Sequence, residues 1–529
     1  MPPSACMNAP SPSINVARPA RRGHGLLLVA LLAFVALALP ATAGASSKQI
    51  SILQDDGVLL GNSPHDVDEA MAEAKQLGFD SVRTFVSWAG ASPDSQSRTM
   101  PAGFDPGDPN SPGYDWARYD RFVAAARANG LEVLLTLSPP VPYWASDEPS
   151  RCPHFVGGYR NLGKGCYWKP NPRLFGQFAK AVALRYGSDA PAPHGGAVQR
   201  YSIWNEPNLE HYLYPQQQRT RFGTVDVAAK RYRRLWLQAW KGIAKYDRPN
   251  RGRVLFGETA AISSPVDTLY AALCLNPAGR PFKGRLRRLQ GCVRPRKLPI
   301  GGVAVHPYNK DAAGTVFQRS NTTDSLAMAH LNRLHRVLNR TARSGRIPRG
   351  RGIFITEFGF QTNPPDSRFG VSLAAQARSL NQSERLFYAD PRVKAVSQFE
   401  LYDAPEVPKQ DVYNTGLRLV DGPKKPSWTA FQMPLVATRL GGGRVELWGA
   451  ARPAPGPARV TITASPRSGG GSRMVASTVT SRSGYYRIRV RGANAAKQRY
   501  RARWTDLSGN VLASRIATPG RRIAYRPLR

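Results

Sequence analysis

The chain has 529 residues, more than one ordinary domain, and is long enough to bury a large core. Its hydrophobic content of 42% excludes an intrinsically disordered protein. The 74 Lys and Arg residues against 35 Asp and Glu residues give a formal net charge of +39, but no nucleic-acid-binding motif accompanies this excess. We therefore expect no nucleic-acid partner, and the charge reflects either overall residue usage or an anionic partner of another kind.

The first residues have the pattern of a secretory signal peptide. Arg18, Arg21 and Arg22 precede an uninterrupted apolar run over residues 26–39, and small residues follow that run. This pattern predicts a cleavable signal peptide over residues 1–45. Because the apolar run is shorter than the roughly 20 residues of a membrane span, an uncleaved N-terminal anchor is the second interpretation. In either case we expect an exported protein, secreted or extracellular.

Four cysteines remain once Cys6 leaves with the signal peptide. They are Cys152, Cys166, Cys274 and Cys292. An even number of cysteines in an exported chain predicts disulfides, and pairing of neighbours would close two short loops. The other two ways of pairing the four cysteines stay open. No pair has the close spacing of a zinc site, so we expect no metal there.

Short apolar runs alternate with amphipathic segments over residues 46–435. The predicted strands are 50–53, 81–88, 131–137, 198–204, 253–257, 302–305, 353–356 and 393–399. The predicted helices are 64–77, 115–129, 173–186, 225–246, 325–341 and 373–388. Eight apolar strands that alternate with helices favour an α/β protein with a (β/α)₈ barrel. A doubly wound open sheet is the alternative, but no glycine-rich phosphate turn follows an early strand.

The composition changes after residue 435, and residues 441–529 lack helical periodicity. Six short runs separated by Gly, Ser and Pro predict a small all-β sandwich of the immunoglobulin or fibronectin kind. These runs are 445–450, 460–464, 476–481, 485–490, 500–506 and 511–516. From Val436 onward there are 19 Lys and Arg residues but only two acids. This basic domain either braces the barrel or contacts an anionic glycan or cell surface.

Polar side chains follow most of the predicted barrel strands, where the carboxyl ends of the strands face one common mouth. They are Arg83 on strand two, Asn205 and Glu206 after strand four, Glu258 after strand five, His306 and Tyr308 after strand six, Glu357 after strand seven, and Glu400 and Tyr402 after strand eight. Cleavage of a glycosidic bond needs one carboxyl group that protonates the leaving oxygen and a second that attacks the anomeric carbon. Because strands four and seven lie on opposite sides of such a mouth, Glu206 and Glu357 can flank a sugar.

Two motifs carry a resemblance to a known group of enzymes. Trp204-Asn205-Glu206-Pro207-Asn208 resembles the acid/base signature of the retaining (β/α)₈-barrel glycoside hydrolases of families 5 and 39. Thr356-Glu357-Phe358-Gly359 resembles their nucleophile signature. The resemblance implies hydrolysis of the O-glycosidic bonds of a β-linked oligo- or polysaccharide by double displacement, with Glu206 as acid/base and Glu357 as nucleophile.

The same resemblance implies roles for the neighbouring residues. Asn205 would bind the 2-hydroxyl, Arg83 and Tyr308 would hold Glu357 ionised, and His306 would line the pocket. Strand three ends in Ser138-Pro139-Pro140 and strand eight in Gln398-Phe399-Glu400, which differ from the usual family patterns and leave the sugar open.

Aromatic side chains provide further candidate contacts for sugar rings. Trp204 and Trp144 are predicted to bind substrate, together with the carboxylate Glu400. Tyr143, Tyr167 and Trp168 lie on the same loops as Trp144, and packing of these loops against the barrel explains the aromatic residues equally well. We expect no metal or other cofactor, and a monomer.

Two further features have competing interpretations. The basic stretch over residues 280–297 is either a solvated loop or a contact for an acidic glycan. The chain as a whole is either a hydrolase or a catalytically silent glycan- or cell-surface-binding protein on the same barrel.

Overall fold

The computed structural model describes residues 49–153, 165–309, 315–317, 322–405, 413–454 and 456–526. The predicted signal peptide and the start of the mature chain lie outside these residues. Among the described helices, none combines the length and the apolar character that crossing a membrane requires.

Eight parallel strands close into a barrel, which confirms the predicted (β/α)₈ fold. The strands are β1 (Ile50–Gln54), β2 (Ser81–Ser87), β3 (Glu132–Ser138), β4 (Val198–Ile203), β5 (Val254–Ala260), β6 (Gly302–His306), β7 (Gly352–Ile355) and β8 (Val393–Phe399). Each strand pairs with its neighbours in sequence, and β1 closes the barrel against β8. The carboxyl ends of all eight strands therefore meet at one mouth.

The helices of the barrel vary in length. They are α1 (Asp56–Leu59), α2 (Val67–Leu77), α3 (Trp88–Ala91), α4 (Ala117–Ala128), α5 (Pro172–Tyr186), α6 (Val227–Tyr246), α7 (Pro265–Ala272), α8 (Gly284–Leu289), α9 (Asn332–Arg343), α10 (Leu373–Tyr388) and α11 (Pro426–Gln432). The helix expected from residue 64 begins at Val67, because the carboxylate of Asp66 accepts from the free backbone N–H groups of Asp68 and Glu69. The sequence also gave no signal for the hairpin formed by Gln217–Thr220 and Gly223–Asp226.

The inside of the barrel is apolar at one end and polar at the other. Near the amino ends of the strands, side chains from six strands form an apolar cluster. They are Ile52, Leu134, Leu255, Ala304, Phe354 and Ala395. Towards the mouth, the buried interior residues include Arg83, Thr136, Glu258 and His306. The polar groups thus lie above a closed apolar floor.

Both predicted disulfides are present between sequence neighbours. Cys152 pairs with Cys166, and Cys274 pairs with Cys292. Each closes a loop of the barrel domain, so the neighbour pairing is confirmed and the other two connectivities are wrong.

The C-terminal region contains two antiparallel sheets with seven strands, one more than predicted. The strands are β9 (Leu435–Gly441), β10 (Arg444–Ala450), β11 (Arg459–Pro466), β12 (Arg473–Val479), β13 (Tyr485–Arg491), β14 (Gln498–Thr505) and β15 (Val511–Ala513). Their orders are β9-β10-β13 and β12-β11-β14-β15. Leu435, which was expected to end the barrel region, begins β9, because a tight turn pairs this strand with β10. The arrangement is compatible with the predicted all-β sandwich.

The three-stranded sheet packs against helix α10 of the barrel. The rings of Trp448 and Tyr485 lie against Tyr388, with centroids 5.3 and 4.5 Å away. Arg452 forms a buried ion pair with Glu384, and the Tyr485 hydroxyl donates to the same carboxylate at 2.8 Å. The small domain therefore braces the barrel through apolar and charged contacts.

Replacing Glu384 with Ala should destabilise the protein, because it leaves the buried guanidinium of Arg452 without its carboxylate. A cost of roughly 3–5 kcal/mol is expected for breaking a buried ion pair from one side, measured as a lower midpoint of urea unfolding. Glu69→Ala, at an exposed glutamate of α2, is the matched control and should leave the midpoint nearly unchanged. Equal midpoints for the two variants would contradict the bracing role.

Candidate active site

The backbone turns sharply where the strands end at the mouth. Four residues there that are not glycine have positive φ angles. They are Trp204 (72°), Glu206 (40°), Glu258 (48°) and Glu400 (86°). The N–H of Glu206 donates to the carbonyl of Glu258 at 2.9 Å, which ties the end of β4 to the end of β5. Such strained conformations persist only where the surroundings impose them, and they concentrate at functional sites.

Arg83 crosses the buried interior from β2 and holds two carboxylates. Its Nη1 lies 3.0 Å from Oε1 of Glu357, and its Nη2 lies 3.1 Å from Oε2 of Glu258. Its Nε donates to the Thr136 hydroxyl at 3.0 Å. The side chain has no exposed surface. Arg83 therefore orients Glu357 by a charge-assisted hydrogen bond, in a geometry that fits the predicted role.

His306 lies between three carboxylates. Its Nδ1 is 2.9 Å from Oε1 of Glu206 and 3.5 Å from Oε2 of Glu357, and its Nε2 is 2.7 Å from Oε2 of Glu258. Burial alone would lower the pKa of His306, but the charge of Glu357 and the bonds to Glu206 and Glu258 raise it to about 10. The imidazole is therefore protonated at neutral pH and donates through both nitrogens.

Glu258 is the central anion of the cluster. Burial would raise its pKa, but the charge of Arg83 and the hydrogen bonds from His306 and Ser202 outweigh burial and lower the pKa to about 2. The Thr356 hydroxyl donates to it as well, at 2.7 Å. Sequence reasoning noted Glu258 after strand five but gave it no role. Its position at a strand end was the available sequence signal. Its role depends on partners from other strands, which the sequence around it does not reveal.

Glu206 and Glu357 face each other across the mouth. One carboxylate oxygen of Glu206, one of Glu357 and one nitrogen of His306 all lie within 4.8 Å of one another. Burial and the charge of Glu206 raise the pKa of Glu357, whereas His306 and Arg83 oppose that rise. The Tyr308 hydroxyl lies 3.4 Å from Glu357 Oε2.

Asn205 precedes Glu206 and has an unused hydrogen-bonding atom. It is 4% exposed, and its Oδ1 has no hydrogen-bond partner in the part of the chain that the structure describes. Asn208 has a different role, since its amide donates to the backbone carbonyl of Ile262 at 2.6 Å. A buried amide without a partner beside the carboxylate pair is suited to binding a polar group of a ligand.

Two of the predicted substrate contacts are packing residues. Trp204 has no exposed surface, and its ring packs against Phe175 at 5.4 Å. Trp144 is 5% exposed and packs edge-on against Trp88 at 6.1 Å. Neither indole offers a free face to a sugar ring, and substrate binding by Trp204 and Trp144 stays a prediction. Position at a strand end or in a loop does not distinguish an aromatic residue that lines the mouth from one that packs in the core behind it.

Glu400 and Tyr402 follow β8 and have different surroundings. Glu400 is half-buried and accepts from the Thr415 hydroxyl at 3.3 Å. Burial and the charges of Asp55 and Asp403 hold its pKa well above the usual range. A protonated Glu400 is a hydrogen-bond donor, and substrate binding by it stays a prediction. Tyr402 points to the outer side of the barrel, where its hydroxyl lies 3.4 Å from Glu73.

Two tyrosines that sequence reasoning did not propose line the same region. The ring of Tyr413 lies 5.6 Å from that of Tyr308 and 5.4 Å from that of Phe399. Burial, with the charge of Glu206 near it, raises the pKa of Tyr212 well above its usual range. Tyr212 lies in the loop that follows Glu206, which was a usable signal, whereas nothing local marked Tyr413.

Glu206, His306 and Glu357 are also close enough together to enclose a metal ion. A metal ligand must be a neutral imidazole, however, and His306 is a doubly hydrogen-bonded cation. These side chains suit an ion-pair network better than a metal centre. The absence of a metal remains a prediction.

Comparisons with known proteins give structural likenesses at low sequence identity. No protein-family model matches the chain, and no curated protein matches it. It is similar to a family 39 glycoside hydrolase from the gut symbiont Bacteroides cellulosilyticus WH2, with 15% identity, coverage of 86% of this chain and 82% of that one, and a TM-score of 0.46.

Two further likenesses are to xyloglucanases. One is a family 44 enzyme from Paenibacillus polymyxa (10% identity, 88% and 97% coverage, TM-score 0.41), and the other a family 5 enzyme from Paenibacillus pabuli (12% identity, 73% and 97% coverage, TM-score 0.39). The similar structures thus include members of both families that the two motifs resemble. They do not indicate the substrate or mechanism of this chain, which have to be inferred from its own side chains.

The buried cluster should make stability depend on pH through His306. Its pKa is about 10 in the folded protein against an ordinary value of 6.5, so its proton stabilises the fold fully below pH 6.5. That contribution is lost as the pH rises through 10. The unfolding free energy should therefore fall over this range, and this part of the fall should be absent in His306→Asn.

Urea unfolding at a series of pH values measures the effect. His65→Asn, which removes a histidine outside the cluster, should keep the wild-type slope. An identical slope for His306→Asn and the wild type would show that His306 is neutral in the folded protein.

Proposed function

We propose that the protein is an exported retaining glycoside hydrolase that cleaves a β-linked glycan through a covalent glycosyl-enzyme. The observation that carries the proposal is the approach of Glu206 and Glu357 to within 4.8 Å across the mouth. Retaining enzymes have their two carboxyl groups roughly 5–5.5 Å apart, whereas inverting enzymes need about 6.5–9.5 Å to admit a water molecule.

Glu357 is the proposed nucleophile. Burial and the charge of Glu206 raise the pKa of Glu357, and the charge of His306 and the hydrogen bond from Arg83 at 3.0 Å oppose that rise by favouring the ionised carboxylate. In the first step, one oxygen of Glu357 bonds to the anomeric carbon while the bond to the leaving oxygen breaks. Glu206 gives its proton to that leaving oxygen.

Glu206 then acts as the base. It takes a proton from a water molecule whose oxygen attacks the anomeric carbon and displaces Glu357, which returns both carboxyl groups to their starting states. The imidazolium of His306, 2.9 Å from Glu206, stabilises the carboxylate that Glu206 becomes between the two steps.

In this mechanism the net charge of the cluster is the same before and after the first step. Arg83 and His306 carry two positive charges, which balance Glu258 and Glu357 when Glu206 is protonated. In the covalent intermediate Glu357 is an uncharged ester and Glu206 is ionised, so the buried cluster is again neutral.

The rest of the chain fits an exported enzyme that acts on a polysaccharide. Two disulfides are typical of proteins that fold in an oxidising compartment. The small domain supports the barrel through Glu384 and Arg452, and an anionic glycan or cell-surface contact on its basic exposed strands is a further part of the proposal. The rival function, a catalytically silent binding protein, keeps the fold but needs no proton transfer.

Glu357→Ala should lower hydrolysis of a panel of aryl β-glycosides by at least about 10³-fold, because it removes the attacking group. Azide, which fits the space of the lost carboxylate, should restore activity and give a glycosyl azide with inverted configuration. Glu210→Ala, at an exposed glutamate of the loop after β4, is the control and should retain activity. Equal hydrolysis by the wild type and Glu357→Ala would overturn the enzymatic function in favour of the binding protein.

Glu206→Ala should show an effect that depends on the leaving group. A dinitrophenol leaves without help from an acid, so the first step should change little for dinitrophenyl glycosides. Glycosides of poorly acidic phenols should lose about 10²–10⁴-fold, the usual contribution of general acid catalysis. Measurement of kcat/KM against leaving-group pKa tests this, and a uniform loss across the series would reject Glu206 as the proton donor.

A further inference from the structure

One basic surface beside the mouth is not used by the proposed chemistry. It consists of the hairpin formed by Gln217–Thr220 and Gly223–Asp226 together with helix α8, and we call it the basic platform. Residues 217–226 and 284–289, which form the platform, contain five Arg residues and one acid, Asp226. We propose that the basic platform binds the carboxylate groups of an acidic polysaccharide chain that extends from the mouth. This inference rests on the proposed glycosidase function and specifies the class of its substrate.

The platform adjoins the carboxylate pair through the chain that follows Glu206. Gln216, the residue before the hairpin, donates from its side chain to the carbonyl of Pro207 at 3.1 Å. Pro207 directly follows Glu206, so the hairpin starts from a residue that is tied to the end of β4. The hairpin therefore begins close to the end of β4 that carries Glu206.

The two parts of the platform are fixed to each other. The side chain of Gln290 accepts from the N–H of Asp226 at 3.1 Å and donates to its carbonyl at 2.8 Å. Lys230 donates to the carbonyl of Leu289 at 2.9 Å, and the Cys274–Cys292 disulfide closes the segment that carries α8. The positive groups are therefore presented in a defined arrangement, which lowers the entropic cost of binding.

Positive charge accumulates on this surface without compensation. Arg219, Arg221, Arg285 and Arg288 are exposed, and none forms an ion pair with a carboxylate of the described ranges. Like charges gathered on a short helix and a hairpin destabilise the fold unless an anion neutralises them. A guanidinium group recognises a carboxylate with two parallel hydrogen bonds, and a uronic acid supplies that carboxylate on a sugar ring.

Phe222, at the tip of the hairpin, adds an apolar contact. Its side chain is 42% exposed. The guanidinium carbons of Arg221 and Arg285 lie 4.8 and 5.7 Å from the centre of its ring. An exposed aromatic ring flanked by guanidinium groups suits the two parts of an acidic sugar, its apolar face and its carboxylate.

The test measures binding by the full chain with Glu357→Gln, which prevents cleavage. Carboxymethyl cellulose and hydroxyethyl cellulose share a β-linked backbone, but only the first is charged. At about 0.1 M salt, where exposed charges still interact over roughly 10 Å, the protein should bind the carboxymethyl polymer more tightly. The platform variant R219A/R221A/R285A/R288A should bind it about tenfold more weakly, as the loss of four exposed ion pairs predicts.

The matched control is R248A/R251A/R343A/R349A, which removes four exposed arginines from the opposite end of the barrel. It has the same net charge as the platform variant and should bind almost as well as the parent chain. If both variants bind the carboxymethyl polymer equally weakly, net charge alone explains the loss of affinity and the proposal is overturned. Equal binding of the neutral polymer by the parent chain would overturn it as well.

Two further measurements separate the remaining outcomes. A variant with lysine at the four platform positions keeps the charge but cannot form two parallel hydrogen bonds to a carboxylate, so it should bind the polymer with intermediate affinity. This variant tests the proposal even if the alanine variant does not fold. Stronger binding of single-stranded DNA than of the carboxymethyl polymer would replace the proposal with a nucleic-acid surface. Binding and hydrolysis are measured separately. If the protein hydrolyses aryl glycosides but does not bind the carboxymethyl polymer, only the platform proposal is rejected. If it binds the polymer but hydrolyses no glycoside, only the proposed glycosidase function is rejected.

Discussion

The mouth of this barrel depends on the burial of one guanidinium group, that of Arg83. A charge without exposed surface is tolerated only when carboxylates and hydrogen-bond acceptors surround it. Glu258 and Glu357 supply those charges, and His306 adds a second cation that contacts both. Arg83 and Glu258 each have two oppositely charged partners, so the buried charges compensate one another. The backbone at Glu206 and Glu258, beside this cluster, has positive φ angles.

Glu258 acts through its neighbours and not on a substrate in the proposed mechanism. Its charge helps to keep Arg83 and His306 charged, and its hydrogen bonds hold them beside the two proposed catalytic glutamates. Preorganised groups of this kind stabilise developing charge without rearrangement, which is the main electrostatic contribution to catalysis.

The outer parts of the molecule are organised by charge as well. Where the three-stranded sheet meets helix α10, Glu384 neutralises the buried Arg452, and the contact serves stability. On the basic platform the arginines have no described carboxylate beside them. Both sites contain arginine, but the arginine at the sheet–helix contact is buried and those of the platform are exposed. A buried arginine needs a partner from its own chain, whereas an exposed one is available to a ligand.

The sequence by itself determined the eight strands, six of the eleven helices, the two carboxylates at strand ends and the sugar-cleaving hypothesis. Strand and helix periods are local properties, and the carboxyl ends of parallel strands meet in any closed barrel. Only the tertiary structure decided the rest. Arg83 and Glu357 are 274 residues apart in the chain, and their contact depends on strand order and not on local pattern. Trp204 belongs to the core for the same reason, since burial is decided by the elements packed around a residue.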